Sequence, residues 1–158
     1  MLITKLSVYS IKLTRDSKVI IMAKIAYYPG NTARAASMEV EDCIVPLCKT
    51  LGIELIEIPK ASSDGGNIIS QASPKLQHSL VARNLALAEQ KSIDIMTTCA
   101  TSHAIMCDTA DIIASDSVYA SQLNNLISMT SGIEYSGESK SRHLLHYLVE
   151  DIGLDKIS

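Results

Sequence analysis

The pattern of apolar and polar residues predicts an α/β fold with a parallel β-sheet of three to four strands flanked by helices. A hairpin strand at the N-terminus is a possible addition. Strand-like and helix-like segments alternate three times along the 158 residues. Each crossover segment is long enough to join parallel strands. The length matches one domain, so we assign 21–158 to a single domain and 1–20 to an N-terminal extension or added strand.

Composition excludes several classes of partner. The chain carries a net charge of −3, only 4% aromatic residues, and neither Phe nor Trp. A nucleic-acid partner needs a basic surface or stacking side chains, and an anionic membrane needs a basic patch. We therefore expect no nucleic-acid partner and no direct membrane contact.

The N-terminal residues do not form the apolar block of a secretory signal. The longest apolar run is broken by Lys24 and is far shorter than the about 20 residues that span a bilayer. We expect a cytoplasmic protein, at a membrane only through a complex. Its four cysteines, Cys43, Cys48, Cys99 and Cys107, are then free thiols.

The first half of the chain is divided by turn residues. The segment 2–13 mixes apolar and polar β-formers, and is either a hairpin arm or an extension outside the core. The run 19–28 is continuously apolar, as in a buried parallel strand. The other predicted elements are a turn at 14–17, a helix over 31–51 capped by Asn31 or Thr32 and kinked or split at Pro46, a strand over 53–58 and a loop over 59–73.

The second half repeats the alternation. Ser73-Pro74 is a helix cap followed by a first-turn proline. The helix over 74–90 is expected to turn Leu76, Leu80, Val81, Leu85 and Leu87 inward. The other predicted elements are a strand over 93–98, helices over 101–114 and 118–129 interrupted at Asp116-Ser117, a loop or short strand over 132–137 and a last helix over 141–152 stopped by Gly153.

Three polar loops follow the predicted strands: 29–32, 61–67 and 97–103. Ligands of open α/β sheets bind outside the carboxyl ends of the strands, so these loops predict the functional crevice. Cys99 lies where a strand passes into a helix, a position that favours a thiolate; the alternative is a small buried cysteine. Asp64 is an acid, base or ligand candidate in a loop without phosphate-binding glycine spacing.

The spacing of Cys99, His103 and Cys107 argues against one shared metal ion. Eight residues of helix rise about 12 Å, whereas zinc ligands lie about 2.0–2.3 Å from the ion. Cys99 and His103 remain weak metal candidates as a pair. The remaining cysteines and histidines are expected to be core or surface residues without a ligand role: Cys43, Cys48, His78, His143 and His146.

Five segments together resemble a known family: YYPG at 27–30, IELIEI at 53–58, ARNLALAE at 82–89, DIMTTC at 94–99 and RHLLHYLVEDIGLDKI at 142–157. They are similar to the cysteine-rich (CCG) domain found in the B subunit of heterodisulfide reductase. The same domain occurs in archaeal-type succinate dehydrogenase and thiol:fumarate reductase subunits. The resemblance covers about 22–157, and the family usually carries two such domains in one chain.

The resemblance implies a noncubane [4Fe-4S] cluster held by cysteines at the ends of the strands. This sequence departs from that pattern at nearly every ligand position. Asn31 stands where the first cysteine belongs, Ser63-Asp64 where the paired cysteines belong (within one residue), and Ser102 where the last belongs. Only Cys99 matches a ligand, and because thiolates hold such clusters we expect no cofactor in this chain.

Three functions follow from this pattern. The first is a non-catalytic or accessory subunit of a heterodisulfide-reductase-like or succinate/fumarate-reductase-like redox complex, with partners that include a chain carrying an intact cysteine-rich domain. The second is an electron-transfer subunit that uses Cys99, with a metal or cluster completed by other ligands. The third is a small-ligand-binding module that uses the emptied crevice.

Overall fold

The computed structural model describes residues 9–13 and 19–157. Its strands are β1 (Tyr9–Leu13), β2 (Val19–Tyr28), β3 (Ile53–Glu57), β4 (Ile95–Thr97) and β5 (Ser141–His143). Its helices are α1 (Gly30–Ala35), α2 (Met38–Thr50), α3 (Ile69–Ala72), α4 (Pro74–Glu89), α5 (Ala100–Ser115), α6 (Ser117–Ser131) and α7 (Leu144–His146). Short 3₁₀ turns cover Gly65–Asn67 and Leu154–Lys156, and a π-helical turn covers Tyr147–Ile152.

Four parallel strands form the sheet in the order β3-β2-β4-β5. β1 adds an antiparallel pairing to the first half of β2, with Leu13 opposite Val19. The α/β class and the parallel sheet are therefore confirmed, and the antiparallel pairing of β1 with β2 agrees with a hairpin arm. The predicted turn at 14–17 lies outside the described residues.

The sheet separates two apolar cores. Neighbouring residues of one strand face opposite ways, so Ala26 and Ile95 pack with α4, α5 and α6. Ile25 and Met96 pack instead with α2 and the C-terminal turns. The result is a three-layer arrangement in which both faces of the sheet are covered.

The helix α4 forms as its sequence predicts. The Ser73 hydroxyl accepts a hydrogen bond from the backbone N–H of Leu76, and Pro74 occupies the first turn. Val81 and Leu85 are fully buried. Leu76, however, is 51% exposed, so the expected inward orientation of Leu76 was wrong.

Three sequence predictions are corrected. The helical stretch before β3 splits at residues 36–37 and does not split at Pro46, which lies inside α2. The predicted loop over 59–73 contains one 3₁₀ turn and the short helix α3. The predicted last helix begins with strand β5, because Ser141 to His143 pair with the edge of β4.

Within the described residues, no helix combines the length and the apolar character that a membrane crossing requires.

Candidate crevice at the carboxyl edge of the sheet

The strand order reverses between β2 and β4. Ligands of open α/β sheets bind outside the carboxyl ends of the strands at such a switch point, and we call this position the candidate crevice. The loops that follow the strands meet there, as the sequence predicts. The Thr98 hydroxyl donates to the carbonyl of Pro29 across 3.3 Å, which joins the loops after β2 and β4. The Tyr28 hydroxyl donates to the carbonyl of Ser62 across 3.1 Å, which joins the loops after β2 and β3.

Gly30 closes the contact between β2 and α5. Its φ is +76°, a backbone conformation that favours glycine. A β-carbon built on Gly30 would lie 2.7 Å from the β-carbon of Cys99 and 3.1 Å from the Ser102 hydroxyl. Cys99 and Ser102 therefore border the crevice at the point where Gly30 turns the chain into α1.

Cys99 is half-buried and is the N-cap residue of α5. Its backbone N–H donates to the Thr97 hydroxyl across 3.1 Å, and its side chain makes no capping hydrogen bond to the helix. The thiol therefore lies at the positive end of a helix of 16 residues. Ser102, one turn further along, is 1% exposed.

Asp64 enters the interior, whereas its neighbour Ser63 faces outward. Asp64 is fully buried, and its carboxylate accepts a hydrogen bond from the Gly66 N–H across 2.8 Å. Its own N–H donates to the Tyr28 hydroxyl across 3.0 Å. Burial, and next the charge of Asp64, raise the pKa of Tyr28 far above its ordinary value, so the phenol stays protonated and can bridge the two loops.

Asn84 of α4 fixes the loop after β3 through two hydrogen bonds to the backbone of Ser62. Its amide oxygen accepts from the N–H of Ser62 across 2.9 Å, and its amide nitrogen donates to the carbonyl of Ser62 across 2.8 Å. Asn84 is fully buried in α4. Asn84 belongs to the family-like segment ARNLALAE, but no site role was predicted for it from the sequence. A polar residue within the apolar face of a predicted helix is a signal for such a contact.

The other cysteines lie on other elements or further along α5. Cys43 is exposed and Cys48 is fully buried, both on α2. Burial raises the pKa of the Cys48 thiol to about 11. Cys107 follows Cys99 by two turns of α5, about 12 Å along the axis, and its thiol pKa is raised by burial and by Asp111 and Asp108. Asn31 is the second residue of α1, and its side chain lies outside the described residues.

Three histidines, one each from α5, β5 and α7, meet in one cluster. The rings of His103, His143 and His146 lie in pairs with centroids 5.8 Å apart. The Ser141 hydroxyl lies 2.9 Å from Nδ1 of His103. Placing His143 and His146 together on a helix was therefore wrong, because His143 ends β5 and only His146 lies on α7.

Burial lowers the pKa of His103, and the neighbouring His143, His146 and Arg142 add to that lowering by charge repulsion. The Cys107 sulfur lies 3.8 Å from both ring nitrogens of His103. Among the residues that the structure describes, no group of three or more His, Cys, Asp or Glu side chains is arranged to hold a metal ion. His78 lies apart from this cluster, with Nδ1 2.9 Å from the Tyr119 hydroxyl.

Comparison with known proteins finds relatives among reductase subunits, although no family model matches the chain. It is 30% identical to the "8-methylmenaquinol:fumarate reductase membrane anchor subunit" of Wolinella succinogenes, over 82% of this chain and 44% of that protein. It is 33% identical to a protein of Archaeoglobus profundus described as like the B subunit of heterodisulfide reductase, over 49% of this chain and 26% of that protein.

A third relative is the B subunit of the ferredoxin/F(420)H(2)-dependent CoB-CoM heterodisulfide reductase of Methanosarcina acetivorans. It is 23% identical over 86% of this chain and 45% of that protein. The chain therefore spans less than half the length of these curated relatives. These three relatives confirm the resemblance to heterodisulfide reductase subunits that was found in the sequence.

Among solved structures, the fold is similar to a hypothetical protein from Helicobacter pylori. The TM-score is 0.71 at 14% identity, over 80% of this chain and 25% of that one. This likeness supports the fold alone.

Proposed function

We propose that this chain, a homologue of heterodisulfide reductase and fumarate reductase subunits, is an accessory subunit of such a redox complex. In this proposal it carries no iron–sulfur cluster of its own. One observation supports the proposal above all: among the described residues, Cys99 is the single cysteine that borders the crevice at the switch point of the sheet.

The donor set at the family's ligand positions does not fit a thiolate-bound cluster. Ser63 faces outward, and the fully buried Asp64 has its carboxylate engaged by the Gly66 N–H. Ser102 is a buried hydroxyl. Thiolates supply the negative charge and softness that hold iron in such clusters, and one thiol with one carboxylate does not replace five.

The retained architecture supports a role in assembly. The crevice walls are held by the Tyr28, Asp64 and Asn84 contacts, so its shape depends on hydrogen bonds within the chain. A folded domain without the chemistry of its relatives can still supply a binding surface. We propose that its partners include a chain with an intact cysteine-rich domain, and that membrane contact occurs through the complex.

Anaerobic reconstitution with iron and sulfide tests the loss of the cluster. The whole chain is expected to remain colourless, with iron and sulfide contents far below one cluster per chain and no cluster signal in EPR. Cys99→Ser and the control Cys43→Ser, which removes an exposed thiol on α2, are expected to give the same result. A stoichiometric cluster that Cys99→Ser abolishes and Cys43→Ser retains would refute the proposal.

Copurification tests the accessory role separately. A tagged chain expressed in its native host is expected to bring down flavoprotein or iron–sulfur subunits in fixed stoichiometry. Recovery of the chain alone, at every salt concentration used, would count against a complex.

The alternative use of Cys99 in electron transfer is favoured by one observation. The thiol is half-buried at the N-terminal end of α5, where the helix dipole stabilises a thiolate. Turnover of the assembled complex distinguishes the two functions. Cys99→Ser abolishes electron transfer if the thiol is redox-active, whereas unchanged turnover leaves the accessory role.

A further inference from the structure

A groove of about 610 Å³ lies between the segment that follows β3, the second half of α4 and the end of α6. Ile58, Leu87 and Ile133 form the apolar part of its wall, whereas Lys60, Arg83 and Lys91 bring three positive charges to it. None of the described residues that line it is acidic. This concentration of positive charge is unexpected in a chain of net charge −3.

Arg83 is held in place by neutral acceptors. Its Nε donates to the Ser131 hydroxyl across 2.7 Å, and its Nη1 donates to the carbonyl of Lys60 across 2.8 Å. A guanidinium has five N–H donors in a fixed fork, so donors remain for a ligand after these two bonds. None of the ion pairs between described residues involves Lys60, Arg83 or Lys91.

No acidic side chain of α4 neutralises the positive charge of the groove. Glu89 is the single acidic residue of that helix, and its carboxylate accepts hydrogen bonds from the N–H groups of Ser136, Glu138 and Ser139. The carboxyl ends of α4 and α6 bring about half a negative charge each. Three full positive charges exceed that contribution.

We propose that this groove binds a small amphipathic anion, a phosphate or carboxylate head on a short apolar body. The planar fork of Arg83 matches the two oxygens of either head group, and the flexible Lys60 and Lys91 add charge. The apolar body lies against Ile58, Leu87 and Ile133. The volume falls within the about 300–1,000 Å³ of ordinary small-molecule sites.

Calorimetric titration of the whole chain tests this site with four probes: hexyl phosphate, hexanoate, inorganic phosphate and hexanol. Hexyl phosphate is expected to bind about tenfold more tightly than inorganic phosphate because its chain buries apolar surface. Hexanol, which lacks the anion, is expected not to bind. Comparison of hexyl phosphate with hexanoate identifies the preferred head group.

Matched substitutions locate the site. Lys60→Gln and Lys91→Gln are each expected to weaken hexyl phosphate binding about two- to fivefold. Arg83→Lys, which keeps the charge and loses the fork, is expected to weaken it as well. Lys49→Gln makes the same charge change at the end of α2, away from the groove, and is expected to leave the affinity unchanged.

Absence of saturable binding, or equal losses in Lys49→Gln and Lys91→Gln, would overturn the proposal. The assay uses the chain without iron or partner subunits. A negative titration therefore leaves the proposed accessory function unaffected. Likewise, evidence against the accessory function leaves the proposed anion site unaffected.

Discussion

Gly30 and Cys99 lie so close that a β-carbon on the glycine would come within 2.7 Å of the β-carbon of the cysteine. The two residues follow neighbouring strands, β2 and β4, and bring the start of α1 against the start of α5. The shape of the crevice therefore depends on a residue without a side chain.

Gly30→Ala is expected to lower the free energy of unfolding by more than the cost of placing an alanine in the left-handed conformation of residue 30. A left-handed alanine costs about 1–2 kcal/mol, and displacing Cys99 adds about 1–3 kcal/mol as overpacking. Urea unfolding measures the loss. Gly132→Ala is the matched control, because Gly132 has a φ of +67° with no atom within 4 Å of its added β-carbon. Equal losses in the two variants would contradict the close packing of Gly30 against Cys99.

Tyr28→Phe is expected to loosen the loop after β3. The phenol accepts the Asp64 N–H and donates to the Ser62 carbonyl, and its loss leaves these groups without that partner at a cost of about 1–3 kcal/mol. Faster amide exchange at Asp64 is the specific readout. Tyr119→Phe is the control, because it removes a tyrosine hydroxyl that contacts His78 and not the loop after β3. It should leave the exchange rate of the Asp64 amide unchanged. Unaltered exchange at Asp64 in Tyr28→Phe would show that the bridge does not hold the loop.

Acidification is expected to destabilise the protein through His103. Its folded pKa lies below the ordinary value of 6.5, so the unfolded chain binds more protons as the pH falls through that value. Stability is therefore fully present above the unfolded pKa and declines below it. Urea midpoints measured between about pH 8 and 5 follow this change.

His103→Gln is expected to flatten that profile. Burial also lowers the pKa of His78, and the negative charge of Asp108 opposes that lowering only in part. The double variant His103→Gln/His78→Gln should therefore show the flattest profile. A pH dependence as steep in His103→Gln as in the unmodified chain would disprove the role of the cluster.

Alkylation is expected to distinguish the cysteines. Cys43 is exposed and should react with iodoacetamide in the folded protein. Cys48 is fully buried, its pKa is raised to about 11, and it should react only after unfolding. Peptide mass spectrometry with and without urea measures both rates. Labelling of Cys48 at the rate of Cys43 in the absence of urea would be incompatible with the packing of α2.

Local signals account for the elements that the sequence predicted correctly. Ser73-Pro74 starts α4, and Asp116 caps α6 by accepting hydrogen bonds from the N–H groups of Val118 and Tyr119. The rule that ligand loops follow parallel strands predicted that the loops after β2 and β4 meet, and Gly30 and Cys99 are in close contact there. These features depend on residues that are near each other in the chain or on topology alone.

The missed features depend on contacts between distant elements. A strand of three residues, Ser141–His143, shows no periodicity and exists because β4 offers it a free edge. The histidine cluster joins α5 to β5 and α7, and the basic groove joins Lys60, Arg83 and Ser131 from three segments. Spacing within one segment does not predict such groupings.

The alternation along the central strands has a consequence for how mutations combine. Ile25 and Ala26 are neighbours in the chain, yet they serve cores on opposite sides of the sheet. A cavity made beneath α2 is separated by a layer of backbone from one made beneath α4, so the two losses should sum, with little interaction energy in a double-mutant cycle. Substitutions that loosen one face can therefore accumulate while the opposite core keeps the chain folded.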